Sequence, residues 1–111
     1  MSNGIFEVNF RSNRPDSGEG LVVIKDGSVN GGDANYLYQG NVPTISGRFS
    51  EKFQVSMWQP GNTNITGLDN YILDATGEIN YEKGSISLTG TVVGDASIRV
   101  DLTGRKIAPA V

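Results

Sequence analysis

The feature that most constrains this 111-residue chain is the alternation of apolar and polar side chains along most of its length. Successive side chains of a β-strand point to opposite faces, so alternation predicts one face in a core and one in water. No window of helical length shows the helical period instead. The alternation therefore predicts an all-β fold. In two of the clearest runs the inward residues are Phe6, Val8, Phe10, Phe53, Val55 and Met57.

Turn-forming residues separate the alternating runs. Asp26-Gly27 is a strong hairpin signal, because both positions tolerate positive φ. Further turns are predicted at Asp16-Ser17-Gly18, Glu82-Lys83-Gly84 and Val93-Gly94-Asp95, and the longest loop at Pro60 to Leu68. The intervening segments predict eight strands: 4–11, 20–25, 28–30 with 35–41, 44–50, 52–59, 69–80, 85–93 and 96–106.

An open sheet of short, sequential antiparallel strands would leave two exposed edges. Closing the sheet into a barrel removes both edges. We therefore expect a single antiparallel eight-stranded β-barrel domain over residues 1–111. The interior of such a barrel is just wide enough for its own side chains or for one small ligand. A flattened β-sandwich is the alternative architecture.

Histidine and cysteine are both absent from the chain. Their absence excludes Ser-His-Asp and Cys-His nucleophiles, the usual zinc sites and disulfides. The net charge of −3 argues against a nucleic-acid-binding protein, which needs a basic face. The N-terminus lacks the basic and apolar segments of a signal peptide, and the longest apolar run is Leu21 to Ile24. We therefore expect a cytoplasmic protein without a membrane segment, cofactor or metal site.

Paired carboxylates are the catalytic option that needs neither histidine nor cysteine. Glu78, Glu82, Asp69 and Asp74 are the candidates for such a pair. Glu78 lies near a predicted strand end and Glu82 in a predicted turn, where charged residues are expected for solubility alone. The favoured interpretation is that the protein has no catalytic residues and is not an enzyme.

Aromatic residues suggest a protein interface. Tyr36 and Tyr38 share one parity, and Trp58 has the parity opposite Phe53, so Trp58 should point outward. An outward tryptophan beside tyrosines could anchor a partner or dimer interface. The competing interpretation is that Trp58 folds over a barrel end beneath the Pro60 loop. The six inward residues named above would line a barrel cavity, although plain core packing is the favoured interpretation.

Several N-terminal motifs resemble those of the GrlR family, small regulatory proteins named for a negative regulator of type III secretion genes. The motifs are Asn3-Gly4-Ile5-Phe6, the run from Gly18 to Gly27, Gly31-Gly32-Asp33 and Tyr38-Gln39-Gly40. The resemblance implies a lipocalin-like eight-stranded barrel that forms a homodimer. It also implies regulation by protein contact, since the member that gives the family its name sequesters a transcriptional activator.

That member contacts its activator through an exposed run of alternating Glu and Asp, shortly after the Tyr-Gln-Gly motif. The corresponding stretch here, residues 41–47, contains no carboxylate, so no partner-binding residue transfers. Two functions remain open. The first is a cytoplasmic regulator that binds another protein. The second is a carrier of a small apolar ligand, which would require a cavity of ~300 Å³ or more.

Overall fold

A computed structural model of the chain describes residues 3–13, 17–59 and 70–111. The described residues form strands joined by turns and include no helix, which confirms the all-β prediction. The strands are β1 (Gly4–Ser12), β2 (Ser17–Lys25), β3 (Ser28–Gly32), β4 (Tyr36–Asn41), β5 (Gly47–Met57), β6 (Asn70–Asn80), β7 (Ser85–Val92) and β8 (Asp95–Ala108). Over these ranges, no helix is long and apolar enough to cross a membrane.

The strands form a closed barrel in which every strand pairs antiparallel with its neighbours in sequence. Pairing of β1 with β8 closes the barrel and places Val8 opposite Gly104. Closure confirms the predicted barrel and excludes the sandwich.

Two strand assignments made from the sequence are wrong, although the number of strands is correct. Residues 28–30 and 35–41 were predicted to form one strand but belong to two, β3 and β4. The turn at Asp33 reverses the chain between them. Residues 44–50 and 52–59 do not form two strands, because β5 runs unbroken from Gly47 to Met57. No turn-forming residue lies near position 51, so the alternation of Phe49 continues into Phe53.

Three of the predicted turns are present. Asp26 and Gly27 have φ values of 52° and 85°, the left-handed pair that a two-residue hairpin turn requires. Gly84 and Gly94 supply positive φ in the β6–β7 and β7–β8 turns. The turn predicted around position 17 is wrong for Ser17 and Gly18, which belong to β2, while Asp16 lies outside the described residues. The predicted Pro60 loop lies outside them too.

Because neighbouring strands run in opposite directions, successive connections between strands lie at opposite ends of the barrel. One end, which we call the Trp58 end, carries the β3–β4 and β7–β8 turns and the residues that follow β5. The opposite end, the terminal end, carries the β2–β3, β4–β5 and β6–β7 connections. The chain termini also lie there, since Lys25 Nζ donates to the carbonyl of Val111 at 3.2 Å.

The core lies inside the barrel and is built from the inward parity of each strand. Phe6, Ile24, Ala75 and Ile79 have no solvent exposure. Phe49 and Phe53 pack edge to face, with ring centroids 6.4 Å apart. Burying one large aliphatic or aromatic side chain contributes about 1.5–3 kcal/mol, so apolar packing is the main source of stability.

Candidate functional site

Asp33 organises the turn between β3 and β4 at the Trp58 end. Its Oδ1 atom accepts hydrogen bonds from the backbone N–H groups of Asn35 at 2.9 Å and Tyr36 at 2.8 Å. The Asp33 N–H donates to the carbonyl of Tyr36 at 3.0 Å. An Asp carboxylate that accepts hydrogen bonds from the backbone N–H groups two and three residues later in the chain forms an Asx turn. The break after Gly31-Gly32 is therefore a turn held by its own side chain.

Tyr38 fastens β4 to this turn from inside the barrel. Its hydroxyl donates to Oδ2 of Asp33. Its ring meets Phe10 edge to face, with centroids 5.6 Å apart. Burial, followed by the hydrogen bond to Asp33 and the charge of that carboxylate, raises the pKa of Tyr38 far above its ordinary value. The hydroxyl therefore stays protonated and acts as a donor.

Trp58 lies over the same turn from outside. Its backbone N–H donates to the carbonyl of Asn35 at 2.9 Å, and its indole Nε1–H donates to the carbonyl of Asp33 at 3.2 Å. The Asn35 amide Nδ2 donates in turn to the carbonyl of Gln59 at 3.1 Å. The Trp58 side chain is nevertheless 58% exposed. Because its one polar group is satisfied, it presents an oriented apolar surface to solvent.

The two tyrosines do not share that surface. Tyr36 is 2% exposed, and the ring of Tyr38 faces the interior. A predicted interface that includes all three aromatic residues would need them on one outer surface, but the register pairs Tyr38 with the inward Val55. Directly opposite residues in a sheet project from the same face. Of the three aromatic residues, Trp58 alone is available on the surface for an interface.

Sequence reasoning missed a second exposed apolar surface on β2. Leu21 is 50% exposed and Val23 is 39% exposed. Leu21 lies opposite Gly32, the residue before Asp33, so it neighbours the turn that holds Trp58. We call Leu21, Val23 and Trp58 the outer apolar patch. Its signal in the sequence is the unbroken apolar run at 21–24, which makes both faces of β2 apolar where alternation would leave one polar.

A small apolar cavity lies below the Asp33 turn and has a volume of about 80 Å³. Four of the six side chains predicted to line it do so: Val8, Phe10, Phe53 and Val55. Phe6 is fully buried in the core and Met57 lies at the Trp58 end, and neither lines the cavity. The volume is well below the ~300 Å³ of a typical small-molecule pocket.

The candidate carboxylates are surface residues. Glu78 and Asp74 are exposed on the outer face of β6, and Glu82 accepts a hydrogen bond from Ser46 Oγ at 3.0 Å at the terminal end. Asp69 lies outside the described residues. Among residues 3–13, 17–59 and 70–111, no group of three or more acidic side chains is placed to hold a metal ion.

Comparison with known proteins places the chain in a family. A family model described as "T3SS negative regulator, GrlR", where T3SS is the type III secretion system, matches residues 1–109. No curated protein matches the sequence. The matched range includes all eight strands and the Asp33 turn. Nearly the whole chain is covered, and the protein therefore belongs to the GrlR family of type III secretion negative regulators.

Proposed function

We propose that this protein is a cytoplasmic, non-enzymatic regulator that acts by binding other proteins, including a transcriptional regulator of type III secretion. The observation that carries the proposal is the family match over residues 1–109. A chain without histidine or cysteine also lacks the residues of the common nucleophilic and zinc-dependent enzymes. A role in protein binding is consistent with both facts.

The outer apolar patch supports a role in protein contact. Its members Leu21, Val23 and Trp58 expose apolar area that a protein interface would remove from water. Tryptophan is among the residues that most often carry binding energy. Because two hydrogen bonds already hold Trp58, little conformational freedom remains to be lost on binding. We assign the patch to the homodimer contact that the family resemblance implies.

The direct test compares oligomeric state and repression in the same variants. We expect the wild-type protein to be a dimer by light scattering and to lower transcription from a type III secretion promoter. Combining Leu21→Ser with Trp58→Ala should shift the mass to a monomer and weaken repression. Ile45→Ser is the matched control, since Ile45 is 76% exposed but lies at the opposite end. A dimeric, fully repressing patch variant would refute the assignment, and no repression by wild type would refute the function.

The second candidate function, a carrier of a small apolar ligand, is supported by the almost wholly apolar lining of the interior cavity. Its volume of about 80 Å³ argues against a lipid-sized ligand. An apolar cavity of about 150 Å³ can bind benzene. Because the cavity here is smaller, the barrel would have to expand to hold a ligand of more than a few atoms. Titration with decanol, followed by thermal unfolding, tests this: a raised Tm would favour a carrier.

A further inference from the structure

A chain of hydrogen bonds crosses the barrel wall at Asp33. On the inner side, the ring of Tyr38 lines the apolar cavity, and its hydroxyl donates to Oδ2 of Asp33. On the outer side, the indole Nε1–H of Trp58 donates to the main-chain carbonyl of the same Asp33 at 3.2 Å. One residue therefore connects a side chain of the interior to the tryptophan of the outer apolar patch.

The carboxylate of Asp33 is the main support of the β3–β4 turn. It accepts from the N–H of Asn35 at 2.9 Å, from the N–H of Tyr36 at 2.8 Å and from the hydroxyl of Tyr38. The main chain adds a hydrogen bond across the turn, from the Asp33 N–H to the Tyr36 carbonyl at 3.0 Å. The two preceding residues are glycines and offer no side chain. The positions of the carbonyl groups of the turn therefore depend on this carboxylate.

Trp58 is oriented by those carbonyl groups. In the part of the chain that the structure describes, its two hydrogen bonds end on the carbonyls of Asp33 and Asn35. The indole bond of 3.2 Å is at the long limit of an N–H···O hydrogen bond, so a small movement of the Asp33 carbonyl would break it. Since the side chain is 58% exposed, the indole would then be free to adopt other rotamers.

We propose that Asp33 is a positioning residue for Trp58, and that the hydroxyl of Tyr38 supports it from inside the barrel. The carboxylate fixes the turn, and the carbonyls of the turn fix the indole. A fixed indole loses less conformational freedom when a second copy of the chain covers it. The interior of the barrel thereby sets the strength of a contact on its outer surface. The inference rests on the proposed assignment of the outer apolar patch to the homodimer contact.

Three variants grade the support that the turn receives. Asp33→Ala removes every hydrogen bond to the carboxylate, and we expect it to weaken the homodimer about tenfold, since both protomers must then immobilise a freed tryptophan. Asp33→Asn should stay close to wild type, because its amide oxygen still accepts from the N–H groups of Asn35 and Tyr36. Tyr38→Phe should weaken the dimer less than Asp33→Ala, since Oδ1 keeps both of its bonds.

A double-mutant cycle separates positioning from a general loss of stability. Dimer dissociation constants from analytical ultracentrifugation are compared for Asp33→Ala in the wild-type and Trp58→Ala backgrounds. We expect the effect of Asp33→Ala to disappear once Trp58 is replaced. Tyr81→Phe is the matched control, because it removes a hydrogen bond at the terminal end and should leave the dimer unchanged. An equal effect of Asp33→Ala in both backgrounds would overturn the proposal.

Tryptophan fluorescence tests the positioning step apart from dimerisation. Trp58 is the single tryptophan, so acrylamide quenching and anisotropy decay of dilute monomer report on it alone. We expect stronger quenching and faster local motion in Asp33→Ala and, to a smaller degree, in Tyr38→Phe, which carries the test if Asp33→Ala does not fold. Unchanged motion in the folded variants would refute the positioning role. Faster motion, with Trp58→Ala as dimeric as wild type, would support positioning and refute the assignment of the patch to the homodimer.

Discussion

Replacing Tyr38 with phenylalanine tests the Asp33 turn most sharply. The change removes one hydroxyl and keeps the ring that packs on Phe10. Oδ2 of Asp33 then loses its Tyr38 donor, whereas Oδ1 keeps its bonds to Asn35 and Tyr36. Hydrogen bonds to charged groups contribute about 1.5–3 kcal/mol. Because this pair is only partly buried, we expect Tyr38→Phe to lower the free energy of unfolding by about 1.5 kcal/mol at pH 7.

The same substitution should change how stability depends on pH. Burial and Asp33 raise the pKa of Tyr38 in the folded state above its value in the unfolded chain. The stabilisation is therefore complete below pH ~10, where unfolded tyrosine is neutral. Above that pH the unfolded chain loses the proton while the folded protein keeps it, so stability falls by at most about 1.4 kcal/mol per pH unit. Partial solvation should make the observed slope smaller.

Urea unfolding measured between pH 7 and pH 11 provides the assay. The fluorescence of Trp58, the single tryptophan, reports directly on the turn. Tyr81 is present in both proteins, so its own titration cancels in the difference between wild type and variant. We expect the advantage of the wild type to shrink above pH ~10. A variant as stable as wild type at pH 7, or a difference that does not change up to pH 11, would refute the reasoning.

Three further predictions concern the barrel itself. Gly31→Ala should cost at least about 3 kcal/mol and lower the Tm sharply, since its Cβ would lie 2.1 Å from the backbone carbonyl oxygen of Leu21, which no side-chain rotation can relieve. Phe6→Ala should lower the free energy of unfolding by about 3–5 kcal/mol in urea titrations, because the side chain is fully buried. Tyr81→Phe should cost about 1 kcal/mol by removing the hydrogen bond to Pro43, and amide exchange should quicken at residues 42–46.

Local sequence signals were enough for most of the strands. The inward parity of β1 and of the second half of β5 follows directly from alternation, because burial on one face imposes a period of two. The hairpin at Asp26-Gly27 follows from the few residues that tolerate its backbone geometry. The predicted strand boundary at position 51 is wrong because Glu51, a polar residue at an inward position, interrupts the alternation. No turn-forming residue lies there, so the strand itself continues.

The candidate site depended on relations that no local pattern contains. The parity shared by Tyr36 and Tyr38 does not say which face is inside. The register between β4 and β5 decides which face of β4 is inside, because it places Tyr38 directly opposite the inward Val55. The role of Asp33 is equally non-local, because it joins a turn to Trp58, 25 residues away.

The period-two alternation and the turn-forming residues are properties of short segments. Together with the need of any sheet to cover its edges, they were sufficient to predict a closed β-barrel. The positions of the outer apolar patch and of the small cavity depend on which strands pair and in which register. Those outcomes depend on packing among residues far apart in the chain, which is why they emerge only when the barrel closes.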